Sequence, residues 1–202
     1  MAEIRDRILI SKKKKADEDP SWSEKPFIQI LFEIIDQAEN SAQRPWLIDV
    51  ESGDYLKTDQ LQRKALVAAK RLASLGLKRG DVVHVTLPNC LDFHATVFGI
   101  WLLGCIASLS DPSLAENVMK QQILDTKAAL VVCNDYTLDK SQKVATSCGL
   151  KIISATNLFL NYGTEPNVKP GTEYFHLLHD ISGVMVIFWS SGTTGRPKVE
   201  LK

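Results

Sequence analysis

From Thr58 to Phe188 the sequence keeps changing its hydrophobic period. Short apolar runs at 82–87, 105–110, 128–133, 150–154 and 184–188 are separated by longer segments with apolar residues three and four positions apart. The short runs read as buried strands and the longer ones as helices with one buried face. Repeated strand–helix–strand order implies parallel neighbours, because a parallel pair needs a crossover and a helix supplies it. The fold class is therefore α/β, with alternating strand–helix units and a mainly parallel sheet. In such sheets ligands bind outside the carboxyl ends of the strands.

The remaining elements follow in chain order. Residues 1–25 are charged and irregular, with a basic run Lys12 to Lys15 followed by Asp17, Glu18, Asp19 and Pro20. They read as a disordered, solvated tail, with a nuclear-localisation signal as the other reading. Residues 26–202 form the domain. Pro26 suits a first helical turn, and Phe27, Ile30, Leu31, Ile34, Ile35 and Ala38 fall on one face of a helix ending near Asn40. A strand at 46–50, a turn at 51–54 and a return strand at 55–57 make a hairpin. Thr58 is placed as the N-cap of a helix lined by Leu61, Ala65, Ala68, Leu72 and Leu75 and closed by Gly76. His84 lies inside a strand and reads as a satisfied core histidine. Asn89 is placed as the cap of a largely buried helix running to about Gly104. The next helix, 115–125, turns Val118, Met119, Gln122 and Ile123 inward, and a helix at 138–148 is closed by Gly149.

Composition excludes several function classes. Lys plus Arg and Asp plus Glu are 24 each, so no basic field points to nucleic acid. Cys90, Cys105, Cys133 and Cys148 are widely spaced and read as reduced, core or near-core thiols of a cytosolic-type compartment. His176 and His179 share a helical spacing but have no third ligand nearby, so no metal site is assigned. No early apolar run is long enough for a signal peptide. The apolar stretch 95–109 is shorter than the roughly 20 residues of a membrane span.

The chemistry concentrates in one place. After the apolar run 184–188 come Trp189, Ser190, Ser191, Gly192, Thr193, Thr194, Gly195, Arg196, Pro197 and Lys198. Glycines let a backbone approach a ligand closely, and successive loop N–H groups can cradle an anion. The four hydroxyls can donate to phosphate oxygens, and Lys198 adds a movable cation. The spacing is not that of a Walker A loop, because Gly192 and Gly195 are three apart and Pro197 precedes the lysine. The same composition also suits a polar surface turn.

The order Ser-Ser-Gly-Thr-Thr-Gly-Arg-Pro-Lys over 190–198 closely resembles the phosphate-binding signature of the adenylate-forming (AMP-binding) superfamily: acyl- and aryl-CoA ligases, 4-coumarate–CoA ligase and beetle luciferase. Leu47-Ile48-Asp49, Arg79-Gly80-Asp81-Val82-Val83, Leu87-Pro88-Asn89 and Ala128 to Val132 are similar, in the same order, to the opening of such ligases. The resemblance covers 26–202 and implies the incomplete N-terminal part of the ligase large domain. It implies ATP, Mg²⁺ and coenzyme A as cofactors, with the coenzyme A site outside this sequence. A carboxylic acid substrate belongs to a full-length form, and fatty acid metabolism is one setting for the family's acyl-CoA synthetases. By position, Ser190, Ser191, Gly192, Thr193, Thr194 and Lys198 contact the β- and γ-phosphates, and Gly195 permits the turn. No catalytic residue is assigned, because the family's later motifs have no counterpart here.

Two departures accompany the resemblance. The family has a glycine after the lysine, where this chain has Val199. The downstream adenine, magnesium, ribose and hinge segments are absent from the sequence. The resemblance therefore implies a fragment or truncated form, inactive in adenylation alone. The alternative is a non-catalytic partner that associates with a full-length ligase. The compartment implied is cytoplasmic, or peroxisomal for a full-length form.

Overall fold

The computed structural model describes residues 2–5, 8–11, 25–37, 44–164, 183–190 and 198–201. Strand β1 (Ala2–Arg5) pairs antiparallel with β2 (Ile8–Ser11). Helix α1 (Phe27–Gln37) precedes a second hairpin, β3 (Pro45–Ile48) with β4 (Tyr55–Lys57), and helix α2 (Thr58–Ser74). Then come β5 (Val82–Thr86), α3 (Leu91–Leu102), β6 (Ile106–Leu109), α4 (Glu116–Thr126) and β7 (Leu130–Cys133). A 3-10 turn (Asp135–Thr137) leads to α5 (Leu138–Ser147), β8 (Lys151–Ser154) and α6 (Ala155–Leu158). The last described elements are β9 (Val186–Ser190) and β10 (Lys198–Leu201).

The expected alternation yields the expected sheet. Strands β5 to β9 are mutually parallel, β10 joins antiparallel, and the spatial order is β10-β9-β6-β5-β7-β8. The connection from β5 moves one way to β6, and the next crosses over β5 to reach β7. Helices must therefore cover both faces. On one face Val83, Val85, Leu130 and Val132 meet α2 and α3 through Leu61, Ala65, Leu72 and Ile100. On the other, Val131 meets α4 and α5 through Met119, Ile123, Val144 and Ala145. Each large side chain so buried contributes roughly 1.5–3 kcal/mol.

Helices α2 and α3 pack through small residues. A Cβ placed on Gly99 would lie 2.4 Å from the Ala68 Cβ and 2.8 Å from the Ala65 carbonyl oxygen. Only glycine fits there without moving a backbone.

Several details differ from the sequence reading. Helix α1 forms, but its buried residues are Ile28, Phe32 and Ile35, while Phe27 and Ile34 are 50% and 46% exposed. The apolar arc of α1 covers somewhat more than half its circumference and is wider than the face that packs, so periodicity does not say which part of it is buried. The choice is made by α3, where Phe98 meets Phe32 edge-on at 6.1 Å between ring centres. The caps shift by one residue: Lys57 caps α2, with its N–H donating to Gln60 Oε1 at 2.9 Å, and Cys90 caps α3. Residues 2–5 and 8–11 are paired strands, in place of an irregular segment. Strand β9 begins and ends two residues later than the apolar run, so Trp189 and Ser190 belong to the strand and not to the loop. Lys12 to Lys15, Ala38, residues 165–172 of the Pro- and Gly-rich stretch 161–172 that reads as a loop, His176 and His179 lie outside the described residues.

Candidate functional site

The parallel strands end in polar side chains that lie side by side. Thr86, the last residue of β5, is in register with Cys133, the last of β7, and Cys133 with Ser154, the last of β8. All three are buried. One residue past β6, Ser110 donates its N–H to the Val85 carbonyl at 2.9 Å and its hydroxyl to Gln122 Oε1 at 2.6 Å. A row of this kind at the carboxyl edge of a parallel sheet is where a ligand site is expected.

The turns beyond this edge are built by local side-chain bonds. Asp111 accepts from the Ser113 N–H at 2.7 Å, which holds its carboxyl below the ordinary carboxylate value. Asn134 accepts from the Thr137 N–H at 2.9 Å, so it caps the 3-10 turn. Asp135 is held low by the hydroxyls of Thr156 and Ser154. From α5, the Lys140 ammonium crosses to the turn after β6 and donates to the carbonyls of Pro112 and Leu114.

The loop singled out in the sequence leaves the same edge. Ser190 ends β9, Lys198 begins β10, and the two are direct partners in the antiparallel pairing. Ser191, Gly192, Thr193, Thr194 and Gly195 lie outside the described residues. Of the seven residues predicted from sequence, the structure thus places Ser190 and Lys198, and brings them opposite each other. Val199, where the resemblance leads to the expectation of a glycine, takes a strand position opposite Trp189. A β-branched residue suits that position, so the departure from the signature does not interrupt β10.

Burial dominates the titration of the core groups. His84 is fully buried on β5 and neither ring nitrogen has a hydrogen-bond partner, so burial lowers it to about 4. The sequence reading of a satisfied histidine is corrected here: it is a core histidine, but unsatisfied. Burial pushes Cys105 up to about 12 and Cys133 up to about 11, so both remain thiols near neutral pH. All four cysteines are free. Among the described residues no three His, Cys, Asp or Glu side chains group as metal ligands.

Sequence reasoning missed one contact close to the loop. Trp189 Nε1–H donates to the hydroxyl of buried Ser108 on β6 at 3.3 Å. Ser108 looks like any small residue in an apolar run, and only the register brings it near Trp189. Gln122 was legible, as a polar residue on the inward face of α4.

Comparison with known proteins identifies the family and the fold. The family model described as "AMP-binding enzyme" matches residues 34–199. The 4-coumarate–CoA ligase of Vanilla planifolia is 27% identical over 186 residues, covering 86% of this chain and 32% of that protein. Among solved structures, the anthranilate CoA ligase AuaEII in complex with anthranoyl-AMP superposes with a TM-score of 0.74 at 18% identity, over 93% of this chain and 35% of that one. The luciferase-like enzyme of the nonluminescent mealworm Zophobas morio gives 0.70 at 20% identity, over 91% and 44%. The chain spans between a quarter and a third of the length of these curated relatives. Among the described residues no helix is long and apolar enough to cross a membrane. A family match over most of the chain, on a parallel sheet of the same fold as these ligases, leads to one conclusion: this chain belongs to the AMP-binding enzyme family and carries part of its adenylate-forming fold.

Proposed function

We propose that the chain is the N-terminal portion of an ATP-dependent carboxylate–CoA ligase, and that the β9–β10 connection holds the β- and γ-phosphates of ATP. The observation that carries this is the pairing of Ser190 with Lys198 at the carboxyl edge of the parallel sheet. The pairing puts both ends of a hydroxyl- and glycine-rich loop at one place. Ser190, Ser191, Thr193 and Thr194 donate hydroxyls, Gly192 and Gly195 let the backbone close on the phosphates, and Lys198 supplies charge. These donors offset the negative charge that builds on departing pyrophosphate. Mg²⁺, when bound with the nucleotide, supplies further screening of that charge. Coenzyme A and the carboxylic acid belong to the rest of a full-length ligase, cytoplasmic or peroxisomal. This chain alone orients phosphates and performs no adenylation.

The experiment is a pair of titrations on the 202-residue chain. Mg·ATP binds weakly, and Lys198→Ala weakens it at least about tenfold, the scale of losing a charge-assisted hydrogen bond. A panel of carboxylic acids with ATP, Mg²⁺ and coenzyme A releases no pyrophosphate above blank. Unchanged affinity in Lys198→Ala overturns the loop assignment, and turnover overturns the inactivity.

A second reading, association with a full-length ligase, draws on Phe188. Its ring is 44% exposed on the strand next to the edge strand β10. Sedimentation of the chain with and without such a ligase decides it: a shift in sedimentation supports the reading, and independent sedimentation ends it.

A further inference from the structure

Strand β9 is tied to its neighbours differently along its length. At its start, the Met185 carbonyl accepts from the Ala107 N–H at 3.0 Å and from Trp101 Nε1–H at 2.9 Å. The parallel pairing with β6 then covers Ala107 with Val186 and Ser108 with Ile187. It ends before Trp189. Beyond that point the described tie from β6 is a side-chain bond, from Trp189 Nε1–H to Ser108 Oγ at 3.3 Å.

The geometry of this bond follows from the register. Ser108 lies beside Ile187, and Trp189 is two residues further along β9, so all three side chains share one face. The indole reaches diagonally back to a hydroxyl that is fully buried. Across β5, Ser108 is in register with His84, whose two ring nitrogens make no hydrogen bond. The Ser108 hydroxyl is therefore not committed to the histidine. Trp189 immediately precedes Ser190, so whatever fixes the indole fixes the direction in which the chain leaves the sheet.

We infer that Ser108 is a positioning residue: through the Trp189 indole it orients the end of β9 from which the Ser/Thr/Gly loop departs. What the loop binds rests on the polyphosphate reading above. The anchoring itself does not.

The test uses the full chain and two readouts. The first is hydrogen exchange of the backbone amides where the ends of β9 and β10 pair, 187–190 and 198–201, with those of β5 and β7 as internal controls. Ser108→Ala and Trp189→Phe should each raise exchange there about fivefold, the equivalent of one ordinary hydrogen bond. The double variant should be no faster than either single variant, because both remove the same bond. Ser108→Thr, which keeps the hydroxyl, should restore protection. The second readout is the affinity for inorganic pyrophosphate, which Ser108→Ala should weaken by a similar factor. Unchanged exchange in both single variants, or additive effects in the double variant, overturns the anchoring. If the parent chain binds no pyrophosphate while the exchange pattern holds, the polyphosphate reading falls and the anchoring stands. Should Ser108→Ala not fold, Trp189→Phe still carries the exchange test from the other side of the bond.

Discussion

A Gly99→Val variant is expected to melt roughly 10 °C below the parent chain. The glycine sits in α3 where it crosses α2, and a Cβ there would lie 2.4 Å from the Ala68 Cβ, 2.8 Å from the Ala65 oxygen and 3.1 Å from the Ala69 nitrogen. Two of those three atoms are backbone, so no rotamer change relieves the contact. In an exposed helix, replacing glycine by alanine would gain about 1 kcal/mol through helix propensity. Overpacking a buried contact costs about 1–3 kcal/mol, and more when the obstacle is backbone. The steric cost exceeds the propensity gain, so even Gly99→Ala should destabilise. At roughly 2–4 °C per kcal/mol for a domain of this size, about 3 kcal/mol for valine gives the stated change in melting temperature. Adding Ala68→Gly to Gly99→Ala should recover part of the loss, because it removes the nearest atom and leaves the two backbone contacts. A Gly99→Ala variant that melts at or above the parent temperature would show that the helices can separate at little cost.

The sheet was legible because its strands are short, apolar and separated by helices long enough for a crossover. Residues 82–86, 106–109, 130–133 and 151–154 are strands in the structure, close to where the change of period puts them. The glycines 76 and 149 end helices in the left-handed region, with φ of +95° and +70°, as their place in the pattern implies. The buried part of α1 was not legible, because its apolar arc is wider than the face that packs and the neighbours choose within it. Nor were the caps: lysine and cysteine are not the residue types that favour an N-cap, so Thr58 and Asn89 beside them gave the stronger signal. At the candidate site the reverse holds. The loop stood out because hydroxyls, glycines and a lysine replace an apolar run within a few residues. The ties that hold its stem, from Ser108 and Trp101, depend on strand register and on α3, which come from residues about 80 positions away.

Stability should fall as the pH drops from 6.5 towards 4, and His84→Leu should abolish most of that fall. His84 is fully buried and has no hydrogen-bond partner, and burial alone lowers its folded-state value to about 4 from an ordinary 6.5. Above pH 6.5 the ring is neutral in both states, and its contribution to folding is fully present. Between 6.5 and 4 the unfolded chain takes up a proton that the folded chain refuses, so protonation favours unfolding. Each pH unit across that window costs about 1.4 kcal/mol, so the whole loss is about 3 kcal/mol. Half-buried His94 is lowered by burial too and acts in the same direction. The carboxyls of Glu33, Asp49, Asp111 and Asp135 are held below their ordinary values, so their contributions are lost further down, as the pH falls through the carboxylate range. The histidine window therefore stands largely apart from them. Leucine at position 84 removes both unpartnered nitrogens along with the titration, so stability at pH 8 should hold or rise. Denaturant unfolding of both proteins at pH 8, 6.5, 5 and 4 measures the difference. It should widen by about 3 kcal/mol in favour of the variant as the pH falls. Parallel curves would mean that His84 is charged in the fold, or that water reaches it.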